Sequence, residues 1–172
     1  MAELFRPGAA PEGHPPRHGR ISPARPAHRA VSVQGCRSIH DLHALQACGR
    51  GKGYADAMML DWRGQVAEAT GANIFFVRDG VLHTPTPDCF LDGITRRTVI
   101  DLARRRGIEV VERAIMPEEL EGFEQCFLCG TAAEVTPVSE IGPYRFEVGE
   151  ITRFLMNDYA NEVRPKLSVA AQ

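Results

Sequence analysis

The chain has 172 residues, a length that suits one ordinary domain, and its 44% content of hydrophobic residues is enough to fill a core. Its formal net charge of -2 and its pI of about 6.3 argue against a dedicated nucleic-acid or membrane-surface binder, because both need a concentrated basic face. Five scattered cysteines, the lack of a signal-peptide pattern and the lack of an apolar run of membrane-spanning length lead us to expect a cytoplasmic protein.

Residues 1–51 differ in composition from the rest of the chain. They hold six of the twelve prolines and five of the six histidines, and they show no sustained period of 2 or 3.6. A segment of this kind cannot build a core, so we expect residues 1–51 to be disordered. Its histidines lack the paired spacing and the neighbouring carboxylates of a metal site, and we expect no bound metal.

Strand patterns begin near residue 54. The runs "AMMLD" and "VAEA" predict two strands joined by the turn "WRGQ". The runs "NIFFVR" and "VLHTP" predict a hairpin, because the Asp79-Gly80 pair between them is preferred in two-residue reversals. The first part of the domain is therefore predicted to be antiparallel sheet.

Helices and strands alternate in the second half of the chain. The run "GITRRTVIDLARRRG" predicts a helix over residues 95–106 that Gly107 ends, and "IEVVERAI" predicts a strand. A short helix is predicted in "MPEELEG", two strands around a Gly-Thr corner in "QCFLCGTAAEVTPVSEI", and a closing amphipathic helix in "GEITRFLMNDYANEVRP". The order predicts an α+β domain over residues 52–165, in which helices pack on a mixed or antiparallel sheet, followed by a tail of residues 166–172.

Cys126 and Cys129 form a C-x-x-C pattern, which can mark a redox or metal pair. The pattern lies in a predicted buried strand, where an odd spacing sends the two side chains to opposite faces. We therefore interpret them as core cysteines.

Three short corners can carry chemistry. Glu68 lies at a strand end beside a turn of small residues, where a carboxylate can hold a positively charged ring nitrogen. Ile94 and Thr95 open the 95–106 helix, whose free N–H groups can bind an anion, and the corner at residues 130–133 can point further N–H groups at one. Each has an ordinary alternative, namely an exposed glutamate, helix capping by Thr95, and a plain bulge or turn.

Three stretches together resemble one known family. "LDWRGQVAEATGANIFFVRDGVLHTP", "LDGITRRTVIDLARRRGIEVVERAI" and "FLCGTAAEVTPV", in this order and spacing, resemble the C-terminal domain of the branched-chain amino acid aminotransferases. These are pyridoxal 5'-phosphate enzymes of fold type IV, the D-amino acid aminotransferase-like fold. The resemblance covers about residues 52–164 and extends to two sibling activities, D-amino acid aminotransferase and aminodeoxychorismate lyase. "GTAAEVTPV" is more similar to the branched-chain group than to either sibling.

The resemblance implies a role for each corner. Glu68 would pair with the pyridine nitrogen of the cofactor. The backbone of Ile94 and Thr95 would hold its phosphate with help from Thr131, and the amides of Thr131 and Ala132 would receive the substrate carboxylate. The implied reaction is amino-group transfer from Leu, Ile or Val to 2-oxoglutarate. The family implies a homodimer that binds amino acid and 2-oxo acid substrates, and no nucleic acid or membrane.

One residue that the family needs does not match. The chain has only two lysines, Lys52 and Lys166, and neither corresponds to the family's catalytic Schiff-base lysine, which is expected near Gln34 on an upstream strand. The residues around Gln34 do not resemble that strand, but their possible codons do. Read one nucleotide later, codons 34–50 can encode Lys-Ala-x-Gly and the family-like sequence that follows it.

We therefore hypothesise a reading-frame shift just before Gly53, present in the genome or introduced in sequencing, so that residues 1–51 are out of frame. The chain as written would lack the lysine, its strand and the family's N-terminal domain, and we expect it to be a poor catalyst with a bare sheet edge. The alternative is a non-catalytic fragment or a dimerisation partner of an intact homologue.

Overall fold

The structure is a computed structural model that describes the backbone of residues 28–34 and, in full, residues 55–164. The strands are β1 (His28–Gln34), β2 (Asp56–Leu60), β3 (Val66–Ala69), β4 (Asn73–Arg78), β5 (Val81–Pro85), β6 (Val110–Arg113), β7 (Gln125–Gly130), β8 (Glu134–Ile141) and β9 (Tyr144–Arg145). The helices are α1 (Ile94–Arg105) and α2 (Glu150–Val163), and a 3-10 helix spans Pro117–Gly122. Among the described residues, no helix is long and apolar enough to cross a membrane.

The nine strands form one mixed sheet in the order β3-β2-β1-β8-β7-β4-β5-β6, with β9 paired to β8. Strand β1 runs parallel to both of its neighbours, and β5 and β6 are also parallel, whereas the remaining pairs are antiparallel. The predicted α+β architecture with a mixed sheet is confirmed.

The sheet curls until its two ends meet. The backbone N–H of Val66, in β3 at one end of the order, donates to the carbonyl of Ile115, just beyond β6 at the other end, at 2.8 Å. One buried apolar cluster joins residues from both ends, including Met58, Phe76 and Ile115, and it fills the inside of this curl. The opposite face carries a second cluster, to which α1 and α2 contribute.

Strand β4 shows why the sequence folds in this way. Its run "NIFFVR" is apolar on both faces, because Ile74 and Phe76 enter the inner cluster while Phe75 and Val77 enter the cluster beneath the helices. The ring of Phe75 stacks on Phe127 of the neighbouring strand, with centroids 5.0 Å apart. A strand buried on both sides lies at the centre of a layered domain, and it places its first residue, Asn73, at the functional cavity described below.

Short local signals determine where most elements end. The hairpin turn has φ angles of 52° at Asp79 and 76° at Gly80, the left-handed pair that a two-residue reversal needs. Gly107 follows α1 with a φ of 73°, as predicted for its stop, although the helix begins one residue earlier than expected. Cys126 and Cys129 belong to the two different core clusters, which confirms that they point to opposite faces.

Strand β1 differs from the expectations for residues 1–51. Its seven residues form a strand that pairs with β2 on one side and β8 on the other. We had expected a bare sheet edge here, and the structure shows a paired strand instead. Gln34, the position near which the family's lysine is expected, ends β1 and pairs with Leu60 of β2. Residues 1–27 and 35–54 lie outside the described residues, as do Lys52 and Lys166, so the predictions of disorder and of a shifted frame there stay predictions.

Candidate functional site

A cavity of about 340 Å³ lies where β3, the start of α1 and the end of β7 approach one another. It is lined by Glu68, Thr70, Gly71, Ala72, Asn73, Leu91, Gly93, Ile94, Thr95, Cys129, Gly130 and Thr131. Four of the five residues singled out from the sequence therefore surround one space, and the fifth, Ala132, follows Thr131 directly without lining it. Three corners that are far apart in the chain thus meet.

The corner after β3 brings its chain close to the end of β7. An isolated bridge between Ala69 and Ala72 folds this corner tightly, and Gly130 lies against it. A β-carbon on Gly130 would lie 3.3 Å from the carbonyl oxygen of Gly71. The lack of a side chain at Gly130 therefore permits the close approach that closes this wall of the cavity.

Glu68 places a carboxyl group in the cavity wall, half buried. Burial, and after it the negative charge of Asp56, raise the pKa of Glu68 from 4.5 to about 7. Asp56 is held nearby because its carboxylate accepts the hydroxyl of Thr70 and, at 2.7 Å, the backbone N–H of Ala57. This end of the cavity is thus acidic, and a cation beside Glu68 would relieve the cost of ionising it.

Another part of the cavity wall is the N-terminus of α1. Its N-cap is Gly93, no side chain caps it, and its first turn reads Ile-Thr-Arg-Arg, without an acidic residue. The contrast is α2, where Glu150 lies in the first turn and the side-chain oxygen of Gln125 accepts the N–H of Thr152 at 3.1 Å. The first N–H groups of α1 and its positive dipole end therefore remain available to an anion.

The alternative interpretation of Thr95 as a capping residue is wrong. Its hydroxyl is buried and lies 3.5 Å from the hydroxyl of Tyr159 in α2. Thr95 thus lines the cavity and also contacts α2.

Two residues at the site were missed from the sequence. Asn73 is buried, and its side-chain NH₂ donates to the carbonyl of Leu91 at 2.9 Å and, more weakly, reaches Glu68 Oε2 at 3.4 Å. Arg96 is 1% exposed and directly follows Thr95, which lines the cavity. In the sequence, Asn73 is an amide at the start of an apolar strand, and Arg96 is an arginine beside apolar helix positions. These patterns do not show what either side chain contacts.

A second group of side chains, away from this cavity, has atoms close enough to hold a metal ion, namely Asp61, Asp88 and Cys89. The guanidinium of Arg63 lies among them, 2.7 Å from Asp61 and 2.8 Å from Asp88. The cationic partner of these carboxylates is thus a side chain of the protein itself, and hydrogen bonds from Arg63 hold the pKa of Asp88 below its usual range.

The cavity is lined by the carboxyl group of Glu68, by Ile94 and Thr95 at the uncapped start of α1, and by Thr131. This polarity fits a small ligand that carries a protonated nitrogen and, at its other end, an anionic group. Such a ligand would be held by complementary charge at both ends, with apolar surface between them.

Comparison with known proteins gives the same family from sequence and from structure. The model of the amino-transferase class IV family matches residues 4–141. A probable branched-chain-amino-acid aminotransferase of Rickettsia bellii is 46% identical over 140 residues, which cover 78% of this chain and 48% of that relative. The family match thus begins inside the segment 1–51.

Solved structures agree. The branched-chain aminotransferase of Thermoproteus uzoniensis with norvaline superposes with a TM-score of 0.69 at 41% identity, over 72% of this chain and 42% of that one. The branched-chain amino acid aminotransferase of Thermobaculum terrenum in its PLP form gives a TM-score of 0.68 at 39% identity, over 72% and 42%. The chain therefore spans about half the length of the relatives that it matches.

Proposed function

This chain belongs to the class IV amino-transferases, and on that premise we propose that its cavity binds pyridoxal 5'-phosphate for amino-group transfer between branched-chain amino acids and 2-oxoglutarate. The observation that carries the proposal is the meeting of Glu68, the N-terminus of α1 and Thr131 around one cavity of about 340 Å³. The carboxyl group of Glu68 and the uncapped N-terminus of α1 match the charges of the ring nitrogen and the phosphate of this cofactor.

The residues of the cavity fit the cofactor's charges. Glu68 would pair with the ring nitrogen, and the positive charge there would bring the pKa of Glu68 down from about 7 and keep the carboxylate ionised. Pyridoxal 5'-phosphate supplies an electron sink for the negative charge that develops at the substrate Cα. An ionised Glu68 serves this chemistry by keeping the ring nitrogen protonated.

The anionic groups would bind at the other end. The N–H groups of Ile94 and Thr95 would hold the phosphate, and the Thr131 hydroxyl would add a donor. The amides of Thr131 and Ala132 would receive the substrate carboxylate. The open N-terminus of α1 and the position of Thr131 in the cavity wall support these roles.

Titration calorimetry with pyridoxamine 5'-phosphate tests the binding site. This form of the cofactor carries an amine in place of the aldehyde, so it cannot react with Lys52 or Lys166 and its binding reports the cavity. We expect one saturable site per chain, weakened by Glu68→Ala and unchanged by Glu121→Gln, which alters an exposed carboxylate. Binding that responds equally to both variants would refute the site.

Catalysis by this chain is a separate matter. Both lysines, Lys52 and Lys166, lie outside the positions that the family's lysine occupies, and we propose that the chain as written has little or no transaminase activity. Incubation with pyridoxal 5'-phosphate followed by borohydride should fix no stoichiometric cofactor to the protein. A single labelled peptide at one lysine, together with turnover of leucine, would contradict this.

The other candidate function is non-catalytic. A chain that spans about half of its relatives can act as a fragment or as a dimerisation partner of an intact homologue. Light scattering with and without an intact family member distinguishes a fragment from a dimerisation partner. A new species at the mass of the mixed dimer would favour the partner role. For the intact protein of this family we propose a homodimer.

Substrate class and location complete the proposal. D-amino acid aminotransferase and aminodeoxychorismate lyase remain alternative activities, and "GTAAEVTPV" at the Thr131 corner favours the branched-chain group. We propose a cytoplasmic location and no nucleic-acid or membrane partner. Assay of the protein encoded by a gene with the corrected reading frame, with L-leucine, D-alanine and aminodeoxychorismate, would distinguish the three activities.

A further inference from the structure

Arg96 is a buried cation with three partners on three different elements. It is the third residue of α1, and its side chain is 1% exposed. Its guanidinium donates to Asp92 at 2.8 Å, to the carbonyl of Pro85 at 3.0 Å and to Glu112 at 2.7 Å. A buried arginine is costly unless it is paired in this way, so its hydrogen bonds tie the loop before α1, the end of β5 and β6 into one unit.

Asp92 is the partner nearest to the cavity. It immediately precedes Gly93, the N-cap of α1, and its carboxylate also accepts a hydrogen bond from Arg97 at 2.8 Å. On the other side, the carbonyl of Leu91 accepts the side-chain NH₂ of Asn73 at 2.9 Å. The segment Leu91–Asp92–Gly93 is thus held from both sides, directly before the N–H groups of α1 that line the cavity.

Arg96 is not placed to contact a ligand directly. It does not line the cavity, and its guanidinium is engaged by the carboxylates of Asp92 and Glu112. A residue with this surrounding can influence the cavity mainly by fixing backbone position. An error of about 1 Å in the position of binding groups can cost up to about a hundredfold in function.

We propose that Arg96 and Asp92 are positioning residues, which hold the backbone at residues 91–95 so that the first N–H groups of α1 face the phosphate of the ligand. This inference rests on the proposed function, because it assigns the N–H end of the cavity to a phosphate. The inference predicts that replacing either side chain weakens binding of a ligand that carries the phosphate and does not weaken binding of the same ligand without it.

The test compares two probes, pyridoxamine 5'-phosphate and pyridoxamine, which differ only in the phosphate. Calorimetry gives both dissociation constants for the full chain and for the variants Arg96→Lys and Asp92→Ala. We expect each variant to weaken pyridoxamine 5'-phosphate binding about tenfold and to change pyridoxamine binding less than about twofold. Asp92 is partly exposed, so Asp92→Ala carries the test if Arg96→Lys does not fold.

Two matched controls define the site of the effect. Arg97→Ala removes only the solvent-exposed hydrogen bond to Asp92 and leaves the one from buried Arg96 in place, and Arg104→Ala removes the exposed partner of Glu112, 3.5 Å away. Both should leave the ratio of the two affinities unchanged. An unchanged ratio in folded Arg96→Lys and Asp92→Ala would show that these residues are merely structural and would overturn the inference alone. Equal affinity of the unaltered chain for both probes would instead overturn the proposed phosphate site, and the inference with it.

Discussion

A β-carbon on Gly93 would lie 2.5 Å from the side-chain oxygen of Asn73, closer than side-chain atoms approach in proteins. Asn73 is not free to move away, because its NH₂ group donates to the carbonyl of Leu91 at 2.9 Å. The start of β4 and the start of α1 are therefore in direct contact at the cavity. Only glycine at position 93 permits this contact.

Gly93→Ala should weaken ligand binding at the cavity. The added methyl group displaces either the Asn73 amide or the first turn of α1, and overpacking of this kind costs about 1–3 kcal/mol of unfolding free energy. We expect affinity for pyridoxamine 5'-phosphate to fall about tenfold, because the N–H groups of α1 shift with the turn. Calorimetry and denaturant unfolding measure the two effects.

Gly71→Ala is the matched control for this change. Gly71 lines the same cavity, yet among the described residues no atom beyond its chain neighbours lies within 4 Å of the β-carbon built on it. The substitution should leave stability and affinity nearly unchanged. Equal losses in the two variants would mean that the cavity responds to any added methyl group, and the Asn73 contact would not explain the effect.

Glu68→Gln should stabilise the protein at alkaline pH. The pKa of Glu68 is raised from 4.5 to about 7 by burial and by Asp56, so the folded state binds the proton more tightly than the unfolded state. The favourable contribution of protonated Glu68 is complete below about pH 4.5 and is lost as the pH rises through 7. A neutral glutamine has no such loss, so the variant should gain about 1–2 kcal/mol at about pH 8 after allowance for solvent screening.

Thermal unfolding of the ligand-free chain at about pH 5 and about pH 8 measures the difference. The melting temperatures of the two proteins should nearly coincide under the acidic condition and separate under the alkaline one, with Glu68→Gln the higher. Glu121→Gln, an exposed substitution, supplies the reference. Parallel pH profiles for all three proteins would show that Glu68 titrates normally.

Gly149→Ala should destabilise the domain through α2. A β-carbon on Gly149 would lie 2.3 Å from the side-chain amide of Gln125, whose oxygen accepts both the N–H of Thr152, at 3.1 Å, and its hydroxyl, at 2.8 Å. The clash breaks these contacts at the start of the helix. We expect a loss of about 1–3 kcal/mol in unfolding free energy.

Chemical denaturation of Gly149→Ala, with Glu150→Ala as the neighbouring control, checks this prediction. Glu150 is exposed and contributes only to the favourable charge at the helix start, so its removal should cost less than about 1 kcal/mol. If Glu150→Ala lost as much unfolding free energy as Gly149→Ala, the effect would come from the helix dipole, and the Gln125 contact would not explain it.

The sequence predicted the local structure well because local residues determine it. The strand at "NIFFVR", the Asp79-Gly80 turn and the Gly107 stop each depend on a few neighbouring residues, and the structure confirms them. The 3-10 form of the helix at Pro117–Gly122 is a finer detail that the pattern "MPEELEG" did not show. The sequence pattern thus gave the positions of these elements, but it did not give the type of the short helix.

The cavity could not be predicted from local sequence patterns. No local pattern brings Glu68, Ile94 and Thr131 together, and it was the family resemblance that predicted their meeting. Asn73 and Arg96 were missed because their partners are distant in sequence, for example Glu112, which is 16 residues beyond Arg96. Strand β1 was missed because the composition of residues 1–51 does not show that His28–Gln34 pairs with β2 and with the distant strand β8.

Resequencing of codons 30–53 should show an alternative reading frame. Read one nucleotide later, the codon at Gln34 should give lysine, followed by Ala-x-Gly, and the frame should rejoin the present one just before Gly53. The physical reason is that the proposed transamination needs a lysine to move the proton at the substrate Cα, and the chain as written offers only Lys52 and Lys166. A corrected gene should then yield a protein to which borohydride fixes one cofactor at the new lysine, and replacement of that lysine by arginine should abolish the fixation. Codons that encode no Lys-Ala-x-Gly in this frame would leave residues 1–51 as the true sequence, and the non-catalytic role would become the better interpretation.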